Sequence, residues 1–405
     1  MVGGSCLSGQ TVTIALCGFS LLLVSGCGGG GNATNQPFTA QILYSFGDES
    51  DDALGPGGAL VQGKDGNFYG ISSTGGTGGG PLSMGGFTGA GAVFKITPSG
   101  TETILHAFAD TAADGGNPQG LTEGSDGNLY GTTLNGGANS TGAVFELTPG
   151  GAMTILYSFA GGNGGDHPDA GVIQANDGNF YGTAINYFEN SDGMVFQLTP
   201  EGTLTRLHSF ASSPTDGVSP QGSLLLGSDG NLYGTTSAGG SNNLGTVFKV
   251  TPDGVETVLH SFGGTPADGA APQFGVVQGA DGNLYGTTGN GGTNGYGTVF
   301  KLTPDGIETV LYSFSGTGDG SYPSTALVQG GNGNFYGGTY SGGVSAGSPT
   351  IFELTSAGVV TSLYSFPSGV ISVTNLVNGS DGNLYGTTYQ GGTHESGTFF
   401  RFRLN

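Results

Sequence analysis

Two of the five histidines stand in segments that vary along the chain. His167 sits in GGDHPDAG with Asp166 and Asp169, and His394 is followed by Glu395. Imidazoles and carboxylates so placed suit general acid or base work. The other three, His106, His208 and His260, fall where other copies of one phrase read Tyr (LHSF or LHAF for LYSF), and a packing role is expected for them. Asp52, Asp114, Asp216, Asp268 and Asp319 each precede a proline by four residues. They suit a rim of carboxylates for calcium or a cationic partner, or caps of local turns; one or two oxygens per segment favours the caps. Tyr187, Phe188, Tyr296, Tyr322, Tyr340 and Tyr389 lie in or beside the same variable segments. They are candidates to stack on sugar rings or anchor a protein partner, the alternative being rings folded onto the loop base. Tyr187 and Phe188 lead, because they replace a Gly-Gly of other units. His-Glu-x-x-His does not occur, the one Gly-x-Ser-x-Gly match (GVSAG at 343–347) lies in a Gly-rich loop between strand-type runs and not in a strand-to-helix elbow, and no Gly-rich segment opens a helix that would hold phosphate.

The scaffold that must position these residues is written in a repeated phrase. DGNLYGTT and its variants begin at Asp65, Asp126, Asp177, Asp229, Asp281, Asn332 and Asp381, spaced by 61, 51, 52, 52, 51 and 49 residues. A period near 50 marks a propeller or solenoid. Within each unit the order is an apolar run, the turn DGN, the run LYGTT, a Gly-rich loop, a GTVFKLT-type run, a PDG-type turn and an ETVLYSF-type run, which makes four strands. Asp-Gly and Gly-Asn supply the positive φ of tight hairpins, so Asp126, Asp253 and their equivalents are assigned to turns. Strand residues are apolar at both parities, which requires cover on both faces. Seven such units predict a closed, all-β, seven-bladed propeller. Its closure is legible in the ends: Gln41–Phe46 reads as a fourth strand without a blade, and the last unit stops after its third. Residues 39–46 are expected to pair with 397–404.

In that fold, the tight turns emerge on one face and the variable loops on the other, which is where binding is expected. His167 and His394 belong to the third and seventh blades, nearly opposite in the ring, which disfavours one shared catalytic site.

DGNLYGTT, GTVFKLTPDG and ETVLYSF, covering nearly all of 39–405, resemble the GloVer tandem repeat of choice-of-anchor surface proteins. The resemblance implies export and envelope attachment with no common activity. DGNLY is more loosely similar to the repeats of streptogramin B lyase, a seven-bladed propeller enzyme, but the clustered His and Glu of those lyases have no match here.

Composition agrees with an all-β chain: among 405 residues, 87 are Gly and none is Trp. The net charge of −22, with seven Lys and Arg and no basic patch, excludes nucleic acid as an expected partner. The apolar stretch 11–24 reads as an export signal, although residues 1–26 contain no Lys or Arg. LVSGC at 23–27 resembles the lipobox of bacterial lipoproteins, which implies lipid attachment at Cys27 and cleavage of 1–26; an ordinary cleaved signal and an uncleaved anchor are the competing readings. Residues 27–38 then form a Gly-rich tether. The function expected is an exported, lipid-anchored, non-enzymatic module that binds a glycan or protein through its loop face. A propeller hydrolase or lyase using loop acids near the channel, and a structural role in the envelope, are the alternatives. No cofactor is expected beyond calcium at the aspartates.

Overall fold

A sheet with two apolar faces must stack on both sides, and a ring gives every sheet two neighbours. The computed structural model describes residues 39–404 apart from 49–51, 77–88, 163–164, 186–191, 212, 264, 266, 346 and 356. Seven antiparallel blades form a seven-bladed β-propeller, with no α-helix among the described residues. The first blade comprises Ala53–Gln62, Phe68–Gly75, Ala92–Ile96 and Glu102–Ala107. The last takes Ile371–Asn378, Leu384–Gln390 and Thr398–Phe402 from the chain's end and Ala40–Ser45 from its beginning. Ala40 faces Phe402 and Ser45 faces Thr398, and Phe46 N donates to Gly397 O at 3.0 Å. The closure expected from the sequence is therefore the closure observed.

The core is seven apolar clusters, one between each pair of neighbouring blades. In each, a phenylalanine just after an outer strand packs on a phenylalanine in the next blade's third strand, from Phe46 on Phe94 (5.1 Å) to Phe366 on Phe400 (5.3 Å). The repeated phrase supplies what this packing needs. Asp281 Oδ1 accepts from Asn283 N, and Oδ2 accepts from Asn283 Nδ2 and from Tyr285 Oη at 2.9 Å. Gly282 turns the chain at φ +79°, and Leu284 and Tyr285 are buried. Gly286 leaves room for a ring, since a Cβ there would stand 2.5 Å from Phe300 Cζ.

Two features depart from regular four-stranded blades. Each outer strand carries one extra residue: His260 faces Val247 and Val258 faces Phe248, so Leu259 has no partner opposite it, and Leu43 is skipped in the same way at the closure. Such a bulge sharpens the strand's twist. The first strand is split in the fourth, fifth and sixth blades, as in Gly217–Pro220 followed by Leu225–Leu226. The second to sixth blades enter this strand through a residue with φ between 49° and 58° (Asn117, His167, Ser219, Ala271 or Tyr322) followed by a proline, and in the second blade the strand Gly116–Glu123 runs unbroken through that turn. Proline has no N–H to give the ladder.

Candidate functional site

That entry turn builds the candidate site. The residue after that proline in the second to fifth blades, Gln119, Asp169, Gln221 or Gln273, lines a cavity of about 590 Å³ that takes its walls from all seven blades. Gln119, Asp169, Gln221, Gln273, Thr374 and Asn375 supply its polar groups, with Phe274 and the aliphatic side chains of Leu60, Leu224 and Leu327 between them. Gln221 Nε2 donates to Asp169 Oδ2 at 3.2 Å, and Gln119 Nε2 to Asn117 O at 3.0 Å. The two carboxamide oxygens and the exposed Gln273 keep acceptor and donor capacity toward the cavity. Burial pushes Asp169 above the usual carboxylate range, against the Gln221 hydrogen bond and the charge of His167. The size is that of a small-ligand pocket.

A second cavity of about 540 Å³ adjoins it through Gly58, Gln273, Phe274 and Thr374, and is lined by Tyr322 and Tyr340. Those rings are 40% and 50% exposed. Tyr322 meets Tyr296 edge to face at 5.6 Å. Tyr389, also partly exposed, lies over Gly55 at the entry of the first blade. Four of the aromatic candidates thus border the loop face, while Tyr187 and Phe188 lie outside the described residues, as does Cys27.

The acid–base candidates are not assembled into one centre. His167 Nδ1 stands 3.0 Å from Asp166 Oδ1, and both residues are buried. His394 Nδ1 pairs instead with Asp48 Oδ1 at 2.6 Å, and Glu395 is exposed at φ 56°. The two histidines therefore engage different carboxylates.

The five recurrent aspartates turn inward and do not form an exposed rim. Asp319 Oδ2 accepts from Ser315 N and from Tyr312 Oη at 2.8 Å each. Asp52 Oδ2 accepts from Gly47 N at 2.6 Å and from Tyr44 Oη at 2.9 Å. Each caps the turn that leads into the next blade. At Asp114, Asp216 and Asp268 the partner is histidine: His106 Nε2 lies 2.9 Å from Asp114 Oδ1, His208 Nε2 3.4 Å from Asp216 Oδ1 and His260 Nε2 3.5 Å from Asp268 Oδ2. These imidazoles also pack edge-on against Phe108, Phe210 and Phe262. A third group arrives from the next blade's outer strand. His208, Asp216 and Glu256 bring one ligand atom each within 4.8 Å of the others, as do His260, Asp268 and Glu308. Burial, then the charge of Asp216 or Asp268, pushes Glu256 and Glu308 up to about 7, against the opposing effect of the histidine. Beside Tyr44 and Asp52, Glu102 is raised further, by burial first and Asp52 next.

Two features escape sequence reading by type alone. The dipeptide Pro-Gln recurs at 118–119, 220–221 and 272–273 and is the one signal that points to the channel. Glu256 and Glu308 open outer strands that a sequence reading assigns only to sheet.

The profile of the Gloeobacter/Verrucomicrobia repeat matches residues 80–277 and 265–405. Among solved structures, the WD40 β-propeller domain of Doa1 is similar with a TM-score of 0.56 at 11% identity, covering 91% of this chain and 98% of that one. The periplasmic gluconolactonase of Pseudomonas aeruginosa is similar with a TM-score of 0.51 at 15% identity, covering 78% and 95%. At such identities the likeness is one of fold. No curated protein sequence matches.

Proposed function

The chain belongs to the Gloeobacter/Verrucomicrobia repeat family, and on that premise we propose that it is an exported, lipid-anchored, non-enzymatic binding module that takes a glycan at the mouth of its channel. The observation that carries this reading is the convergence of Gln119, Gln221, Gln273, Asn375 and Asp169 on one cavity, beside the exposed faces of Tyr322 and Tyr340. Carboxamides offer a donor and an acceptor on one plane, which matches vicinal hydroxyls, and tyrosine faces cover the apolar side of a sugar ring. A protein ligand is served less well, because the polar groups lie inside a concavity. Export and attachment rest on the apolar stretch 11–24 and on LVSGC ending at Cys27.

The test is a glycan array probed with the protein and with Q221A/Q273A. Binding of a glycan set by the wild type, lost in the double variant, supports the reading; equal binding by both overturns it. Attachment is tested by Cys27→Ala, which should move the protein from the membrane fraction to the soluble one.

A second reading, a channel hydrolase, draws on Asp169, whose carboxyl is raised by burial and feels the charge of His167. It predicts that array glycans or sugar lactones are consumed by the wild type and left intact by D169N. Binding without turnover speaks against it.

A further inference from the structure

We infer that the two interfaces joining the third, fourth and fifth blades each bind a zinc-class divalent cation, ligated by His208, Asp216 and Glu256 in one and by His260, Asp268 and Glu308 in the other. Each set combines an imidazole nitrogen from one outer strand, a carboxylate from the connecting loop and a carboxylate from the next outer strand, with ligand atoms within 4.8 Å of one another. The site stands apart from the channel and does not depend on what the channel binds.

Three observations support it. First, polar atoms are left over. Glu256 Oε1, Glu308 Oε1 and His260 Nε2 are buried without a hydrogen-bond partner, and buried polar groups without partners are rare unless an ion or water serves them. Second, the spacing changes where the glutamate is present. At the His106–Asp114 interface, where Met153 takes the place of the glutamate, the imidazole and carboxylate meet at 2.9 Å. With glutamate present they stand 3.4 and 3.5 Å apart. Two ligands each about 2.0–2.1 Å from a tetrahedral zinc lie about 3.3–3.4 Å from each other. Third, the aspartates are pre-oriented. Asp216 accepts from Ala211 N and Gly217 N, and Asp268 from Gly263 N and Gly269 N. Such outer hydrogen bonds are what fix metal ligands in place.

The donor set selects the ion. One nitrogen with two carboxylates suits zinc and its neighbours, whereas calcium takes six to eight oxygens. At the closure, Tyr44 replaces histidine and its hydroxyl reaches Asp52 at 2.9 Å and Glu102 at 3.5 Å. Glu102 Oε1 and Asp52 Oδ1 are also without partners there, but that interface lacks the nitrogen.

The experiment uses the full chain, stripped with EDTA, with bound Zn²⁺ counted by elemental analysis and titrated calorimetrically. Two ions per wild-type chain are expected, one in H208Y or E256Q, one in H260Y or E308Q, and none in H208Y/H260Y. Tyrosine occupies the same place at Tyr157 and Tyr312, so the histidine variants should keep the wild-type melting temperature in EDTA. If one fails to fold, the isosteric E256Q and E308Q give the same reading. Equal Zn²⁺ uptake by wild type and H208Y/H260Y, no Zn²⁺ uptake by the wild type, or saturation by Ca²⁺ but not Zn²⁺ would overturn the assignment.

Discussion

Phe46→Ala measures the strength of the ring's closure against that of an ordinary blade junction. Phe46 is 0% exposed, its ring lies 5.1 Å from Phe94, and its amide donates to Gly397 O at 3.0 Å. Phe314, at an uninterrupted junction, is also 0% exposed, lies 5.2 Å from Phe352 and donates to Gly297 O at 3.0 Å. Truncating a buried phenylalanine to alanine costs about 3–5 kcal/mol. For a cooperative unit of this size roughly 0.7 kcal/mol corresponds to one degree, so each variant should melt about 4–7 °C below the wild type. Calorimetric scans of wild type, F46A and F314A at one rate make the comparison. Similar losses mean that the terminal strand carries as much load as a covalently continuous one. If F46A melts within about 1 °C of the wild type while F314A falls as expected, closure is dispensable and the reasoning fails.

Gly286→Ala should cost about 3 kcal/mol, because its Cβ would stand 2.5 Å from Phe300 Cζ in a packed interface. Gly282→Ala meets nothing within 4 Å and should cost only the left-handed backbone, about 1–2 kcal/mol; urea midpoints that reverse this order would contradict the packing account. Burial raises Asp281, but hydrogen bonds from Asn283, Tyr285 and Lys301 outweigh it and bring the group down to about 2. A depressed carboxylate stabilises the fold above its unfolded pKa of about 3.9 and loses that contribution as pH falls toward the folded value. Stability should therefore drop between about pH 4 and 2, and D281N, measured by urea unfolding across that window, should show a shallower drop. Tyr340→Ala should weaken binding of the glycan set about tenfold, the equivalent of about 1.4 kcal/mol, with an unchanged melting temperature. A lowered melting temperature at equal affinity would make Tyr340 structural.

The fold was legible because each letter of DGNLYGTT answers a local demand: a capped turn at Asp281, a positive φ at Gly282, buried Leu284 and Tyr285, and space for Phe300 at Gly286. Closure was legible because a fourth strand without a blade at Gln41–Phe46 complements a blade without a fourth strand. The channel was harder to see, since only three units write Pro-Gln and the other four place Gly57, Asp169, Ser324 or Thr374 after the same turn. Those residues share nothing along the chain and meet only through the ring. The histidine clusters were hidden twice over. Glu256 lies 48 residues after His208, and the bulge at Leu207 breaks the alternation from which facing residues would be inferred.

A ring of seven blades presents its outer strands to solvent as so many open edges, and open edges recruit strands from other molecules. The extra leucine in each outer strand bears on that hazard. By twisting every edge out of plane, Leu43 and Leu259 with their equivalents deny an incoming strand a flat template, a guard that adds to the self-repulsion of a chain carrying a net charge of −22.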